Sequence, residues 1–289
     1  MTTKAEDAHC LQVLPLVWQS HSVDLSLSPN MGALWRSGLG LALAEVDADA
    51  FALFFGLQQS GGRLFALRPP LTPIAPAQVF TWGVTLFGEG VRHAASVLEA
   101  ARRLGEIGVG ERRGRYLLLE ASDGKGPLWS FDRGVWRTPS AIDGGRWWSM
   151  PPQRAAATVT IRTLTPMSFK TQNVWQQGVP TMSLWVRRIL GRTAQLCQEA
   201  SQANPIGRER AESFKQASEA IILVRGQVRP TRLDRVSARS GQRMTVPAQW
   251  CTAAYAGEGL SALWPLLKWM ELVQIGAKTA FGSGVVQVQ

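Results

Sequence analysis

The sequence predicts an α+β protein of two similar units, each a small antiparallel sheet covered by helices. Three observations carry this expectation. Strand-like alternation opens both halves, as L-Q-V-L-P-L-V-W at residues 11–18 and T-V-T-I-R-T at 158–163. Helical stretches with an apolar stripe recur between the strands, and glycine or proline marks most of the joins. In each half the order reads strand–helix–strand–strand–helix–strand, the order of a ferredoxin-like unit.

The first half follows that order closely. After the opening strand and a short V-D-L-S-L alternation, Ser28-Pro29-Asn30 breaks the chain, and Met31–Ala44 reads as a glycine- and alanine-rich helix. Leu53–Pro70 is a connection leading to a strand that ends in paired prolines, which suit a sheet edge. Residues 79–88 form the next strand, Gly90–Leu104 an amphipathic helix, and the basic glycine loop after it runs into Y-L-L-L-E. Gly124–Gln153 lacks periodicity and is expected to be a hairpin and linker between domains spanning 1–153 and 154–289.

In the second half, Ala157–Lys170 alternates until Thr165-Pro166. Met182–Gln202 and Ile206–Val224 read as two helices separated by Asn204-Pro205, a helical insertion at about 180–225. Residues 225–243 are basic, Cys251–Leu260 is a strand, Leu260–Leu272 a helix, and the last residues a short strand. The fold class is therefore α+β, with tandem ferredoxin-like domains and an α-helical insertion in the second.

Charge narrows the choice of partner. Of 289 residues, Lys+Arg number 31 and Asp+Glu 21, a net charge of +10 with a pI near 10.4. Residues 154–243 hold 15 Arg+Lys against 5 Asp+Glu, so this span supplies the whole excess. Such a single-sign region points to a polyanion. Twelve tryptophans against two tyrosines could stack on bases, but most large aromatics belong to the core. Cys10, Cys197 and Cys251 are far apart with no CxxC pair, so neither a zinc site nor a disulfide framework is expected. The N-terminus has no apolar signal region, and Glu45, Asp47 and Asp49 interrupt the most apolar window, Leu39–Leu57. A cytoplasmic protein without membrane contact, metal or cofactor is the expectation.

The densest motif is the terminal V-Q-I-G-A-K-T-A-F-G-S-G-V-V-Q-V-Q. Gly276, Gly282 and Gly284 permit positive φ and close approach, and exposed N–H groups in such a turn can cradle an anion beside Lys278 and Thr279. It is not a nucleoside-triphosphate loop, because Ala277 precedes Lys278 and the upstream glycine is absent. Nor is it a dinucleotide fingerprint, because a strand follows rather than a helix.

This stretch resembles the glycine-rich loop that closes the CRISPR RNA-processing endoribonucleases of the repeat-associated (RAMP) superfamily. Four further segments are similar in the same order. They are a first helix with Trp35-Arg36 where the family has a leucine–arginine pair, a strand ending at Pro69-Pro70, a strand with Thr165-Pro166 and a trailing Lys170, and a basic Ser237-Ala238-Arg239-Ser240-Gly241. The resemblance implies metal-independent cleavage of CRISPR repeat RNA. The 2′-OH attacks, leaving a 2′,3′-cyclic phosphate at the 3′ base of the repeat stem, and the product often stays bound as part of an effector complex with other subunits. The same resemblance leaves an alternative, a non-catalytic RAMP subunit that binds guide RNA.

Such cleavage needs a base, an acid and cations to stabilise the phosphorane. Many family members carry a histidine in or next to the first helix, where this chain has Leu41. That departure resembles the arginine-rich processing enzyme of type IV systems. His21, just before the first helix, is the histidine best placed to act as base; His9 and His93 read as solvated or packed. Arg36 is the leading electrostatic catalyst, with Arg239 and Arg243 next, and Tyr255 is a lesser candidate acid. The RNA contacts expected are Gly276, Lys278, Thr279, Phe281, Gly282 and Gly284 of the loop. Lys170, Arg187, Arg188 and Arg192 would act with them as a clamp, and Arg225, Arg232 and Arg235 from the basic segment.

Overall fold

A computed structural model describes residues 10–29, 31–56, 63–134, 137–149, 157–171, 174–236 and 243–289. The first half builds β1 (Gln12–Ser22), α1 (Gly32–Val46), α2 (Ala48–Phe55), β2 (Phe65–Arg68), β3 (Val79–Phe87), α3 (Ala94–Ile107), β4 (Tyr116–Ser122), β5 (Pro127–Ser130), β6 (Ile142–Asp143) and α4 (Gly144–Ser149). The second half builds β7 (Thr158–Thr163), a small hairpin β8 (Lys170–Thr171) and β9 (Val174–Trp175), α5 (Met182–Glu199) and α6 (Arg208–Glu219). The long strands β10 (Ile222–Val236) and β11 (Arg243–Ala256), α7 (Leu260–Val273) and β12 (Val286–Val288) complete it.

The two sheets repeat one topology. The first runs β2-β3-β1-β4-β5, with β6 also pairing β1, and the second runs β10-β11-β7-β12. Numbered within each half, both cores read second, third, first, fourth, with antiparallel neighbours. This is the ferredoxin-like arrangement expected from the element order, occurring twice. In the second half α5 serves as the first crossover helix and α6 is the added one.

Alternation along β1 decides which side chains meet the helices. Leu14, Leu16, Trp18 and Ser20 are buried, while Val17, Gln19 and His21 take the other face. Trp18 and Trp82 meet with ring centroids 4.4 Å apart, and Trp35 of α1 lies 4.4 Å from Trp82. Phe80 and Tyr116 close the cluster. These tilted, closely packed indoles bury large apolar area and hold α1 at one rotation. Trp18, Trp35, Trp82, Trp148, Trp185 and Trp269 are all buried, as expected of most tryptophans in this composition.

Several expectations are corrected. An unexpected helix, α2, precedes the expected connection and overlaps its first residues, and its N-cap Asp47 accepts a hydrogen bond from Ala50 N. The V-D-L-S-L alternation contributes only a bridge, Leu27 to Ile74. Within the expected linker, two residues pack on the second half: Trp147 Nε1 donates to Pro265 O at 3.2 Å, and Trp148 lies against Phe214 and Trp269. The helix expected over Ile206–Val224 ends at Glu219, and Ile222–Val224 together with the basic segment as far as Val236 form β10. Charged residues masked that strand, since Arg225, Arg229 and Arg232 break the apolar alternation used to recognise one. Among the described residues, no helix is long and apolar enough to cross a membrane.

Candidate nucleic-acid interface

The terminal glycine loop is a packed junction rather than an open nest. Gly276, Gly282 and Gly284 have φ of 90°, 79° and 76°, in the left-handed region open to glycine. A Cβ on Gly284 would lie 1.7 Å from Ile275 O, and one on Gly276 would lie 2.6 Å from Ser168 O. The loop's N–H groups turn inward: Ala277 N donates to Ser168 O at 2.6 Å and Gly284 N to Pro166 O at 3.0 Å. Val285 N donates to Thr165 Oγ1 at 2.9 Å, which accounts for the Thr165-Pro166 step opposite the loop. Thr279, Gly282 and Gly284 are buried. The expected anion cradle is therefore corrected for these three, which shape the loop; Gly276, Lys278 and Phe281 remain partly exposed.

The loop also joins the two halves. Gln274 Nε2 donates to Leu67 O at 3.1 Å, and the Arg68 guanidinium donates to Glu271 O. Gly32 approaches Phe281 so closely that a Cβ there would sit 2.0 Å from its carbonyl oxygen. The turn 279–281 is held from both sides. From α1, Arg36 stands 4.5 Å from the Phe281 ring centre and 4.8 Å from that of Phe55. From α5, Arg192 Nη2 donates to Thr279 Oγ1 at 3.0 Å, and its guanidinium faces Phe87 at 5.7 Å.

Beside this junction opens a cleft of about 480 Å³, lined by Phe169, Lys170, Trp175, Arg187, Arg188, Gly191, Arg192, Gln195, Gly276 and Ala277. It unites five residues expected to touch RNA: Lys170 from the β8–β9 hairpin, Arg187, Arg188 and Arg192 from α5, and Gly276 from the loop. The α5 residues at 187, 188, 191, 192 and 195 share one face of the helix. Lys170 Nζ lies 4.7 Å from the Trp175 ring, and Arg188 lies 5.1 Å from Phe169 and donates to Lys170 O. Burial, with Arg187 nearby, pushes the Arg188 guanidinium below its usual range. Arg187 is exposed, its Nε donating to Ser183 O at 3.2 Å.

Arg192 differs from its neighbours. Only 8% exposed, it has its guanidinium drawn down to about 10 by desolvation, against an upward pull from Glu199. It stays charged at neutral pH, but its place is the floor of the cleft, where it fixes the loop. Expected in the clamp with Arg187 and Arg188, it is instead buried and bonded to Thr279 of the loop.

The remaining expected residues lie elsewhere. Arg225 and Arg232 are exposed on β10, and Arg235 sits further along the same strand. Only residues 252–256 of β11 pair with β7, so most of the β10–β11 ladder extends beyond the sheet as an arm. Arg243 opens β11 opposite Val236, while Arg239 lies outside the described residues. His21 is between Val79 and Leu117 on the sheet face turned away from α1, so it and Arg36 are on opposite sides of the first sheet. The Tyr255 hydroxyl is buried, accepting from Trp185 Nε1 at 2.8 Å and donating to Pro180 O at 2.5 Å. Burial raises its pKa well above the usual range, so Tyr255 is structural.

Chemically, the described lining of the cleft offers three cations at its walls and a fourth beneath, with no carboxylate or imidazole among these residues. It can neutralise phosphates and the charge of a phosphorane. Sequence reasoning missed Phe169, Trp175, Gly191 and Gln195. Gly191, in the middle of an otherwise good helical run, was the signal that could have pointed to them.

Residues 161–286 match the family model described as CRISPR-associated endoribonuclease Cas6, and a second model, described as an N-terminal domain, matches residues 59–139. No curated protein sequence matches. Among solved structures, a Cas6 (TTHB231) product complex is similar at a TM-score of 0.62 and 17% identity, covering 98% of this chain and 100% of that one. Thermus thermophilus Cas6 (TTHB231) gives 0.60 and 16%, covering 98% and 99%. A structure described as an RAMP protein binding different RNA substrates gives 0.51 and 12%, covering 96% and 99%. The resemblance to Cas6 endoribonucleases thus holds in sequence over residues 161–286, and the fold is shared over nearly the whole chain.

Proposed function

We propose that this Cas6-like chain matures CRISPR RNA. It binds the repeat stem-loop of the precursor and cuts at the 3′ base of the stem. The observation that carries this reading is the cleft itself: the basic residues of α5 and the β8–β9 hairpin converge on the glycine loop, within a fold similar to a Cas6 product complex end to end. Stem recognition rests on backbone charge and A-form shape. The exposed arginines of the β10–β11 arm extend the basic surface beyond the cleft.

In the reaction the 2′-oxygen bonds to phosphorus as the bond to the 5′-oxygen breaks. The 2′-hydroxyl proton leaves to a base, and the leaving oxygen takes one up. The product ends in a 2′,3′-cyclic phosphate. Because the nucleophile belongs to the RNA, permanent cations can supply the main stabilisation without a metal. Arg36, held between Phe55 and Phe281 beside the loop, is assigned that role, with Arg239 and Arg243 as further phosphate clamps. The product remains bound, and other subunits of a CRISPR effector complex are the partners.

One observation favours a second reading, a non-catalytic RAMP subunit that holds guide RNA. Leu41, where many family members carry a histidine, is 57% exposed, and the described lining of the cleft contains no imidazole. Cleavage of end-labelled repeat RNA in EDTA separates the two, using wild type, Arg36→Ala, His21→Ala and a substrate with 2′-deoxy at the scissile position. The proposal expects cutting that the 2′-deoxy abolishes and Arg36→Ala slows by about a hundredfold or more. Tight binding with no cutting would establish the structural subunit instead.

A further inference from the structure

Gly191 stands in the interior of α5, flanked by Leu190 and Arg192, where a glycine weakens a helix relative to alanine. Elsewhere in the protein, glycines at such positions are required by packing: Gly38 meets Leu104 and Gly40 meets Phe55. At Gly191 an added Cβ would meet nothing within 4 Å. The residue is exposed on the cleft floor, one turn from Arg187 and one turn from Gln195. Among the described residues, no neighbour accounts for the missing side chain.

Across the cleft, the β8–β9 hairpin offers Trp175, half-buried, with Lys170 Nζ 4.7 Å from its ring. Val174 at the same hairpin is 69% exposed. Phosphate contacts from Lys170, Arg187 and Arg188 hold a strand in register but carry no sequence information. An indole face can hold an unstacked base, and the Gln195 amide can pair with a base edge. A volume of about 480 Å³ lies in the range of small-ligand sites.

We infer that this cleft takes one unpaired nucleotide of the RNA, its backbone passing over Gly191 and its base stacked on Trp175. This rests on the RNA-processing reading and adds where an unpaired base leaves the stem. Arg187 and Arg188 then bracket its phosphate, and the absent side chain at 191 is the space the ribose–phosphate occupies. Trp175 and Gln195 are specificity-determining residues in this assignment, and Gly191 is a close-approach position.

The test uses the full-length protein and repeat RNAs carrying 2-aminopurine at successive unpaired positions. Wild type, Gly191→Met, Trp175→Ala and Trp175→Phe are compared for fluorescence on binding, for affinity and for thermal stability. One position is expected to quench on binding, to regain emission with Trp175→Ala, and to stay quenched with Trp175→Phe. Trp175→Ala is expected to weaken binding about tenfold. Gly191→Met is expected to weaken binding about tenfold or more while its midpoint of thermal unfolding equals or exceeds that of wild type. Wild-type binding and cutting with no Trp175-dependent position, or a Gly191→Met variant that binds as wild type, would overturn the inference and leave the processing reading intact. Failure of wild type to bind repeat RNA would overturn both.

Discussion

Replacing Gly284 by alanine tests whether the glycine loop is a structural junction. The residue has φ 76°, and a Cβ there would sit 1.7 Å from Ile275 O, a backbone atom that cannot rotate away. A residue with a Cβ pays roughly 1–2 kcal/mol for the left-handed backbone. Relieving the overlap requires the 275–284 contact to open, and overpacking of this kind costs about 1–3 kcal/mol. The sum is about 2–5 kcal/mol, which in a chain of this size lowers the melting temperature by very roughly 5–15 °C. The displaced loop carries Gly276 and Ala277 on the cleft wall and Phe281 against Arg36, so RNA cleavage should fall with stability, measured well below the melting point. Thermal unfolding followed by circular dichroism gives the first quantity and single-turnover cleavage the second. Gly191→Ala, where nothing stands in the way of a Cβ, should instead raise stability by about 1 kcal/mol. A Gly284→Ala protein that melts within 1 °C of wild type would refute this account of the loop, on the same scale.

Other predictions concern the scaffold and its acid response. Tyr255→Phe leaves Trp185 Nε1 and Pro180 O without their buried partner, costing about 1–3 kcal/mol in chemical denaturation, while the pH profile of cleavage keeps its shape. Asp47, which accepts from Ala50 N and Ser96 Oγ and faces His93, has its carboxyl held down to about 2. A carboxylate whose folded pKa is depressed stabilises fully above its unfolded value near 4, and that stability is lost as pH falls toward 2. The stability gap between wild type and Asp47→Ala, about 1–2 kcal/mol at neutral pH, should therefore narrow between pH 4 and 2. A gap that stays constant down to pH 2 would remove the carboxylate from the explanation.

The fold was legible because its signals are periodic. Alternation in β1 and β7 and the apolar stripes of α3, α5 and α7 fixed the repeated topology, and the Thr165-Pro166 step lay where the loop needed an anchor. What stayed hidden depends on sequence-distant contacts. Nothing local in Arg187-Arg188-x-x-x-Arg192 shows that the third arginine turns under the loop while the first two face the cleft. Burial by Phe87, Thr279 and Glu199 decides that. His21 sits near the first helix in sequence but across the sheet in space, because odd positions of β1 face away from α1. The basic run 225–243 concealed β10, since arginines tolerated on an exposed arm erase the apolar alternation.

The central claim is that the α5–hairpin cleft is where RNA phosphates are bound, and the salt dependence of binding tests it most directly. Affinity for repeat RNA would be measured over a range of monovalent salt for wild type, the double variant Arg187→Ala/Arg188→Ala, and Arg192→Ala. Each phosphate contact adds about 0.7–0.9 to the slope of log affinity against log salt. The account predicts a slope shallower by about 1.4–1.8 for the double variant. Arg192→Ala should leave the slope nearly as in wild type, because that guanidinium is buried against Thr279. A double variant that keeps both wild-type affinity and wild-type slope would contradict the account and place the RNA elsewhere on the protein.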